Sequence, residues 1–239
     1  MNRIYAEGTL GDSFVFMLKI REMKERVIVY HKTKWIHWYG AIKEIYSLTN
    51  NVELRFTDER RTDLPEVLSD PHTGKMSFFP EFDIVSRYNF NKPYIVITPS
   101  SGKPVGYNAK KLPPYMINEL VLSIARMGIK CVLLGTDTAY TDIQGCVNLI
   151  GYTSIQDCLA IIQKCEQFIG PEGLLLYMAL SQKKHSIGFY SDYEAVEKRV
   201  VGTPWEEHCK LVDMRNIGII GHNIIDALKI IDEVNGGIV

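Results

Sequence analysis

At 239 residues, with 46% hydrophobic and 23% charged side chains, the chain can build one large core or two small ones, and its composition excludes a largely disordered polymer. A formal net charge of −1 gives no global positive field to hold nucleic acid or an acidic membrane, although a local basic patch stays open. The five cysteines (Cys131, Cys146, Cys158, Cys165 and Cys209) are odd in number and form no C-x-x-C pair, so free thiols in a reducing compartment are expected.

In chain order, a strand is predicted over 3–7, a turn over 8–11, a helix over 13–23 and a second strand over 27–30. Residues 31–40 read as a passage into a helix reaching about Ser47, and 52–56 as a third strand. Segment 57–81 breaks the pattern with Pro65, Asp70-Pro71, Thr73-Gly74 and Pro80, so a loop with at most one short helix is expected, then a short strand over 82–85. No signal peptide or bilayer-length apolar run stands out, and a cytoplasmic location is the expectation.

Asn91-Lys92-Pro93 reads as a linker. Beyond it, strands at 94–98, 130–134, 147–150, 167–169 and 185–190 alternate with helices at 114–127, 155–164 and 174–180, and a last helix covers 223–234. Such alternation predicts α/β architecture with parallel sheets. The division near residue 92 gives domains 1–92 and 93–222, with a cleft between the carboxyl ends of their strands. The tail, 223–239, is expected to pack back on the first domain.

The most informative stretch is 148–190, two consecutive strand–turn–helix units whose helix starts are expected side by side at one end of a parallel sheet. Free N–H groups and the positive end of the helix dipole make such starts phosphate sites. Asn148-Leu149, Gly151, Thr153-Ser154-Ile155 and Phe168-Ile169-Gly170 follow the pattern N-L-x-G-x-T-S-L, helix, F-I-G. Gly11-Asp12 after the first strand, Lys110-Lys111-Leu112-Pro113, and the turn Leu134-Gly135-Thr136-Asp137 fit the same order. In these segments the chain resembles the ADP-heptose lipopolysaccharide heptosyltransferases, glycosyltransferase family nine. It differs from them in four places. Glu172 stands for the family's Asp, Gly173-Leu174 for its Ser-Gly, Tyr177 for its His and Leu112 for its Trp.

The resemblance implies a GT-B-like fold, two Rossmann-like domains facing a cleft with the first reduced. It implies transfer of a sugar from a nucleotide-diphosphate sugar to an acceptor hydroxyl with inversion and without a metal or other cofactor. The acceptor would be a glycolipid or saccharide, or a hydroxylated base in phage DNA. A non-catalytic nucleotide-sugar binder and a sugar-nucleotide epimerase are the alternatives on the same fold.

Asp12 is then the general base, in competition with a capping role, since Asp12 or Ser13 precedes an apolar helix; Ser13 as cap would free Asp12. Glu172, beside Gly173 and Leu174, is either a hydrogen-bond acceptor for donor hydroxyls or an acid favouring a helix start. Lys110 (or Lys111) is expected to neutralise the donor diphosphate, with Ser100 and Ser101 donating to it; a solvated surface lysine is the plain alternative. Gly135, Thr136, Gly151 and Thr153 complete the expected donor side, with Ser154 and Asp157 as a capping pair. Residues 31–39, with Lys32, Lys34, Trp35 and Trp38, form the acceptor candidate, against a helix that buries its tryptophans. The histidines show no metal-ligand spacing, so no metal site is expected.

Overall fold

The computed structural model describes residues 2–65, 79–91, 93–101, 110–191, 193–197, 199–214 and 228. The first part is β1 (Asn2–Glu7), α1 (Leu10–Glu22), β2 (Val27–Lys32), a 3-10 turn (Ile36–Trp38), α2 (Tyr39–Tyr46) and β3 (Val52–Phe56). Its three strands pair in parallel, in the order β1-β2-β3.

The second part runs β4 (Tyr94–Ile97), a two-stranded antiparallel ribbon β5 (Ser100–Ser101) and β6 (Lys110–Lys111), α3 (Pro114–Arg126), β7 (Lys130–Leu133), β8 (Val147–Asn148), α4 (Ile155–Lys164), β9 (Gln167–Pro171), α5 (Leu174–Ser181), β10 (His185–Tyr190), α6 (Tyr193–Glu197) and β11 (Cys209–Asp213). The six long-range strands form one parallel sheet in the order β8-β7-β4-β9-β10-β11. This is the doubly wound order, and it reverses direction between β4 and β9. Ligands of such sheets bind in the crevice at the carboxyl ends of the two strands that flank that reversal.

Strand periodicity divides the core. Tyr94 and Val96 face α4 and α5, whereas Ile95 and Ile97 face α3 on the opposite side of the sheet. The first core does not stop at the second sheet. It takes in Ile4, Val27 and Val29 from the first sheet, nearly all of α1, Ile42 and Ile45 of α2, and Leu159, Ile162, Leu176 and Leu180 of α4 and α5. Residues 11–18 of α1 are all buried, because the helix packs on its own sheet and also on α5, while α2 packs on α4. A helix apolar around its whole circumference is one that is buried on all sides.

Three expectations differ. Residues 82–85 form no strand; Phe82 is instead a core plug, with Arg21 stacked over its ring at 4.7 Å. The strands that lead into the two helices of segment 148–190 are not neighbours in the sheet, because β4 and β7 lie between β8 and β9, although α4 and α5 pack on each other. Strand β11 and helix α6 were not expected at all. The linker residue Lys92, all of segment 66–78 and most of the predicted tail helix lie outside the described residues. Of that tail, Leu228 is buried in the core on the α3 side of the second sheet.

A shared core has a measurable consequence. Phe14 is fully buried where α1 meets Phe82, and Phe14→Ala should cost about 3–5 kcal/mol. Urea unfolding followed by far-ultraviolet circular dichroism and by tryptophan fluorescence should give one coincident transition, since Trp38 and Trp205 report from the two parts of the same core. Two separated transitions would mean that the sheets unfold independently.

Candidate active site

Asp12 lies in the first turn of α1, directly after β1. Thr9, not Ser13, is the N-cap residue: its backbone is extended, and its N–H and hydroxyl both donate to Asp12 Oδ2, at 2.7 and 2.8 Å. This is a capping box with Asp in place of the commoner Glu. Ser13 is buried and donates to the Thr9 carbonyl at 2.8 Å, so it does not relieve Asp12 of the capping role. Gly8 makes the arrangement feasible, because a Cβ there would overlap the Asp12 side chain.

Glu172 lies at the end of β9, 5% exposed, just ahead of α5. The backbone turns at Gly173, with φ +157°, and a Cβ at that position would collide with Ser101 Oγ. Ser101 Oγ donates to the Glu172 carbonyl at 2.8 Å, and Lys110 Nζ forms an ion pair with Glu172 Oε2. The β5–β6 ribbon thus brings Ser101 and Lys110 to the end of β9, at the reversal between β4 and β9. Leu174 opens α5, partly exposed.

Sequence reasoning did not find Arg199. It follows α6, and Val196 and Val200 beside it are buried. Its Nη2 is paired with Asp12 Oδ1, and its Nη1 donates to Tyr177 OH at 2.7 Å and lies 3.4 Å from Glu172 Oε1. Tyr177 OH in turn donates to Glu172 Oε1. Burial opposes the Arg199 charge, yet the Tyr177 and Asp12 contacts outweigh it and raise its pKa above the ordinary value. Burial pushes the Tyr177 phenol up to about 12, so it stays a neutral donor. One carboxylate from the first turn of α1 and one from the end of β9 therefore share a single guanidinium.

The other expected donor residues spread from this cluster. Lys111 pairs with Asp137 at 2.6 Å, next to Ser100 and the exposed Thr136. Gly135 accepts the Gly151 N–H at 2.8 Å, joining the turns after β7 and β8. Thr153 accepts a hydrogen bond from Cys158 at 3.2 Å, and Ser154 with Asp157 forms the expected capping box. The Gly151 turn thus stands on the far side of β4 and β7 from Glu172.

On the acceptor side, Lys32 lies near Glu7 at 4.0 Å, Lys34 is exposed, and the Trp35 and Trp38 rings are 5.5 Å apart. Trp38 also packs on the core, so only part of this segment is surface. His31 does not belong with it. The ring is fully buried, with Nδ1 3.2 Å from Tyr46 OH and Nε2 3.5 Å from Ser13 Oγ. All five cysteines are free, and burial raises the thiols of Cys131, Cys158, Cys165 and Cys209 to about 12. Among the described residues, no group of three or more His, Cys, Asp or Glu is placed to hold a metal ion, and no helix is long and apolar enough to cross a membrane. A groove of about 640 Å³ lined by Arg21, Lys24, Asn51 and Phe82 lies at the opposite end of α1 and includes none of these residues.

The family model of glycosyltransferase family 9 (heptosyltransferase) matches residues 30–216. The chain belongs to glycosyltransferase family 9. Among solved structures, a family 9 glycosyltransferase from Veillonella parvula aligns with a TM-score of 0.58 at 11% identity, over 94% of this chain and 89% of that one. The E. coli ADP-heptose LPS heptosyltransferase II gives 0.56 at 12% identity, covering 97% and 98%. E. coli heptosyltransferase WaaC, solved with ADP, gives 0.58 at 9% identity, covering 94% and 99%. No curated protein sequence matches the chain. The fold is thus GT-B-like with a reduced first sheet, and the protein is a glycosyltransferase that uses a nucleotide sugar.

Burial has a pH consequence at this site. Desolvation lowers the pKa of His31 from 6.5 to about 4, against smaller raising effects from the Gly8 backbone, Asp12 and Glu7. Between these two values the unfolded chain binds a proton that the folded one does not. Stability is therefore fully present above about pH 6.5 and falls by about 3 kcal/mol as the pH drops towards 4. In His31→Leu, denaturant titrations across that window should lose this part of the slope.

Proposed function

We propose that the protein transfers a sugar from a nucleotide-diphosphate sugar to the hydroxyl of an anionic saccharide or glycolipid, with inversion, using Asp12 as general base and no metal. The observation that carries this reading is the convergence of Asp12, Glu172 and Lys110 on one guanidinium-centred cluster at the sheet reversal. In domain terms, 1–92 would serve the acceptor and 93–222 the donor.

The acceptor oxygen attacks the anomeric carbon from the face opposite the diphosphate. The bond from that carbon to the diphosphate oxygen breaks, its electron pair leaves with the nucleoside diphosphate, and the acceptor proton passes to Asp12. Thr9 fills both lone pairs of Asp12 Oδ2, so Oδ1 is the oxygen that receives the proton. Lys110 is the exchangeable cation of the cluster. Its side chain is 23% exposed against 9% for Arg199, and an arriving diphosphate competes with Glu172 for it. Once Lys110 turns to the diphosphate, Glu172 Oε2 is free to accept a hydroxyl of the donor sugar. The N–H groups at Gly173, Leu174 and Leu175 and the dipole of α5 assist the leaving group.

Residues 32–38 supply the acceptor contacts: Lys34 for anionic groups and the Trp35 face for a sugar ring. Their place supports this, since the Lys32 carbonyl lies 3.4 Å from the Gly8 N–H, at the loop that holds Asp12. An anionic saccharide is favoured over modified DNA because the chain's net charge of −1 offers little attraction to a duplex.

The test is transfer with a panel of nucleotide sugars, ADP-heptose included because a heptosyltransferase of similar fold was solved with that donor. Asp12→Asn should lose on the order of 100- to 10,000-fold in kcat, with ADP binding by calorimetry retained. A chelator should leave the rate unchanged. Full activity of Asp12→Asn would remove the base assignment. Epimerised donor as the product, or tight binding without turnover, would point to the epimerase or to the binder, and activity only on hydroxylated DNA would replace the acceptor.

A further inference from the structure

The described residues of the two sheets are joined at the reacting end by Arg199, 187 residues away in sequence from Asp12. We propose that Arg199 is a positioning residue for the transfer. It fixes the distance and orientation between the base on α1 and the donor carboxylate after β9. The proposal rests on the reading of Asp12 as base.

Three features support this role. Arg199 uses separate nitrogens for the two carboxylates, Nη2 for Asp12 Oδ1 and Nη1 towards Glu172 Oε1, so one rigid plane sets both. Its Nη1 also donates to Tyr177 OH, and Tyr177 is held in turn by the Gly11 approach, where a Cβ would come 3.2 Å from the ring. Tyr177 and Trp205 then pack at 6.0 Å, both fully buried, which leaves the guanidinium little freedom to swing.

The oxygens left open are consistent with this. Arg199 occupies Oδ1 of Asp12 without filling it, so one acceptor position remains for the incoming hydroxyl. On Glu172, Arg199 and Tyr177 hold Oε1, whereas Oε2 carries the exchangeable Lys110. The brace therefore engages both carboxylates and leaves one substrate-facing position on each. Because α1 and α5 share a core, the two carboxylates are already set before substrate arrives, and Arg199 adds the last constraint at the reacting end.

The experiment compares the full-length wild type, Arg199→Lys, Tyr177→Phe and Asp12→Asn, using the donor that turns over and ADP as the binding probe. Arg199→Lys keeps the charge but cannot span both carboxylates. Its kcat should fall on the order of 100-fold, as expected for a misplaced reacting group, while donor KM and ADP affinity stay within about twofold. Tyr177→Phe removes the hydroxyl that seats Nη1 without changing charge, and kcat should fall about tenfold with KM again unchanged. If Arg199→Lys does not fold cooperatively, Tyr177→Phe decides alone. Wild-type kcat in the folded Arg199→Lys, or equal losses in kcat and ADP affinity, overturns the proposal. If Asp12→Asn is inactive while Arg199→Lys is fully active, the base reading stands and the positioning role is gone; a fully active Asp12→Asn removes both.

Discussion

Helix α1 is the constraint on which the rest of this protein depends. Its residues 11–18 are all buried, one side on the first sheet and the other on α5. A three-stranded sheet with two short helices would have only a small, marginal core of its own. By turning a second apolar face to α5, α1 lets the small sheet draw on the core of the larger one. The same contact fixes where the N-terminus of α1 ends up, and with it Asp12.

The charge cluster follows from that packing. Two carboxylates brought into a buried junction are costly unless compensated, and one guanidinium with one ammonium makes the set neutral. The two cations are not equivalent. Arg199 is deep and fixed by Tyr177, whereas Lys110 sits nearer solvent on the short β5–β6 ribbon. On the proposed reading, Lys110 is the cation that can be handed to an arriving diphosphate and Arg199 the one that stays, in line with their exposures of 23% and 9%.

Much of the fold was legible because parallel strands and amphipathic helices impose period 2 and period 3.6 on apolar residues. Helix α4 and strands β3 and β10 came out at their observed bounds, α4 because its apolar residues recur at helical spacing and β3 because it alternates. The failures have local physical causes. Phe82 lies in an apolar stretch that looks like a strand, yet it is a side-chain plug under Arg21. The cap of α1 was placed at residue 12 or 13 because both types cap well; the chain instead starts the helix earlier and uses Asp12 at the third helical position. His31 looked like part of a basic aromatic patch, but the inward phase of β2 turns it into the core beside Tyr46.

By itself the sequence determined the elements, the parallel α/β class and the family, because these reside in local periodicity and in short motifs such as Asn148-Leu149 and Phe168-Ile169-Gly170. It also singled out Asp12, Lys110 and Glu172 as candidates for the site. Only the tertiary structure decided that these three meet, that two strands stand between the Gly151 turn and Glu172, and that Arg199 joins the cluster. No local pattern marks an arginine after a short helix. Its role exists only because strand order and the shared core bring it to a partner 187 residues away.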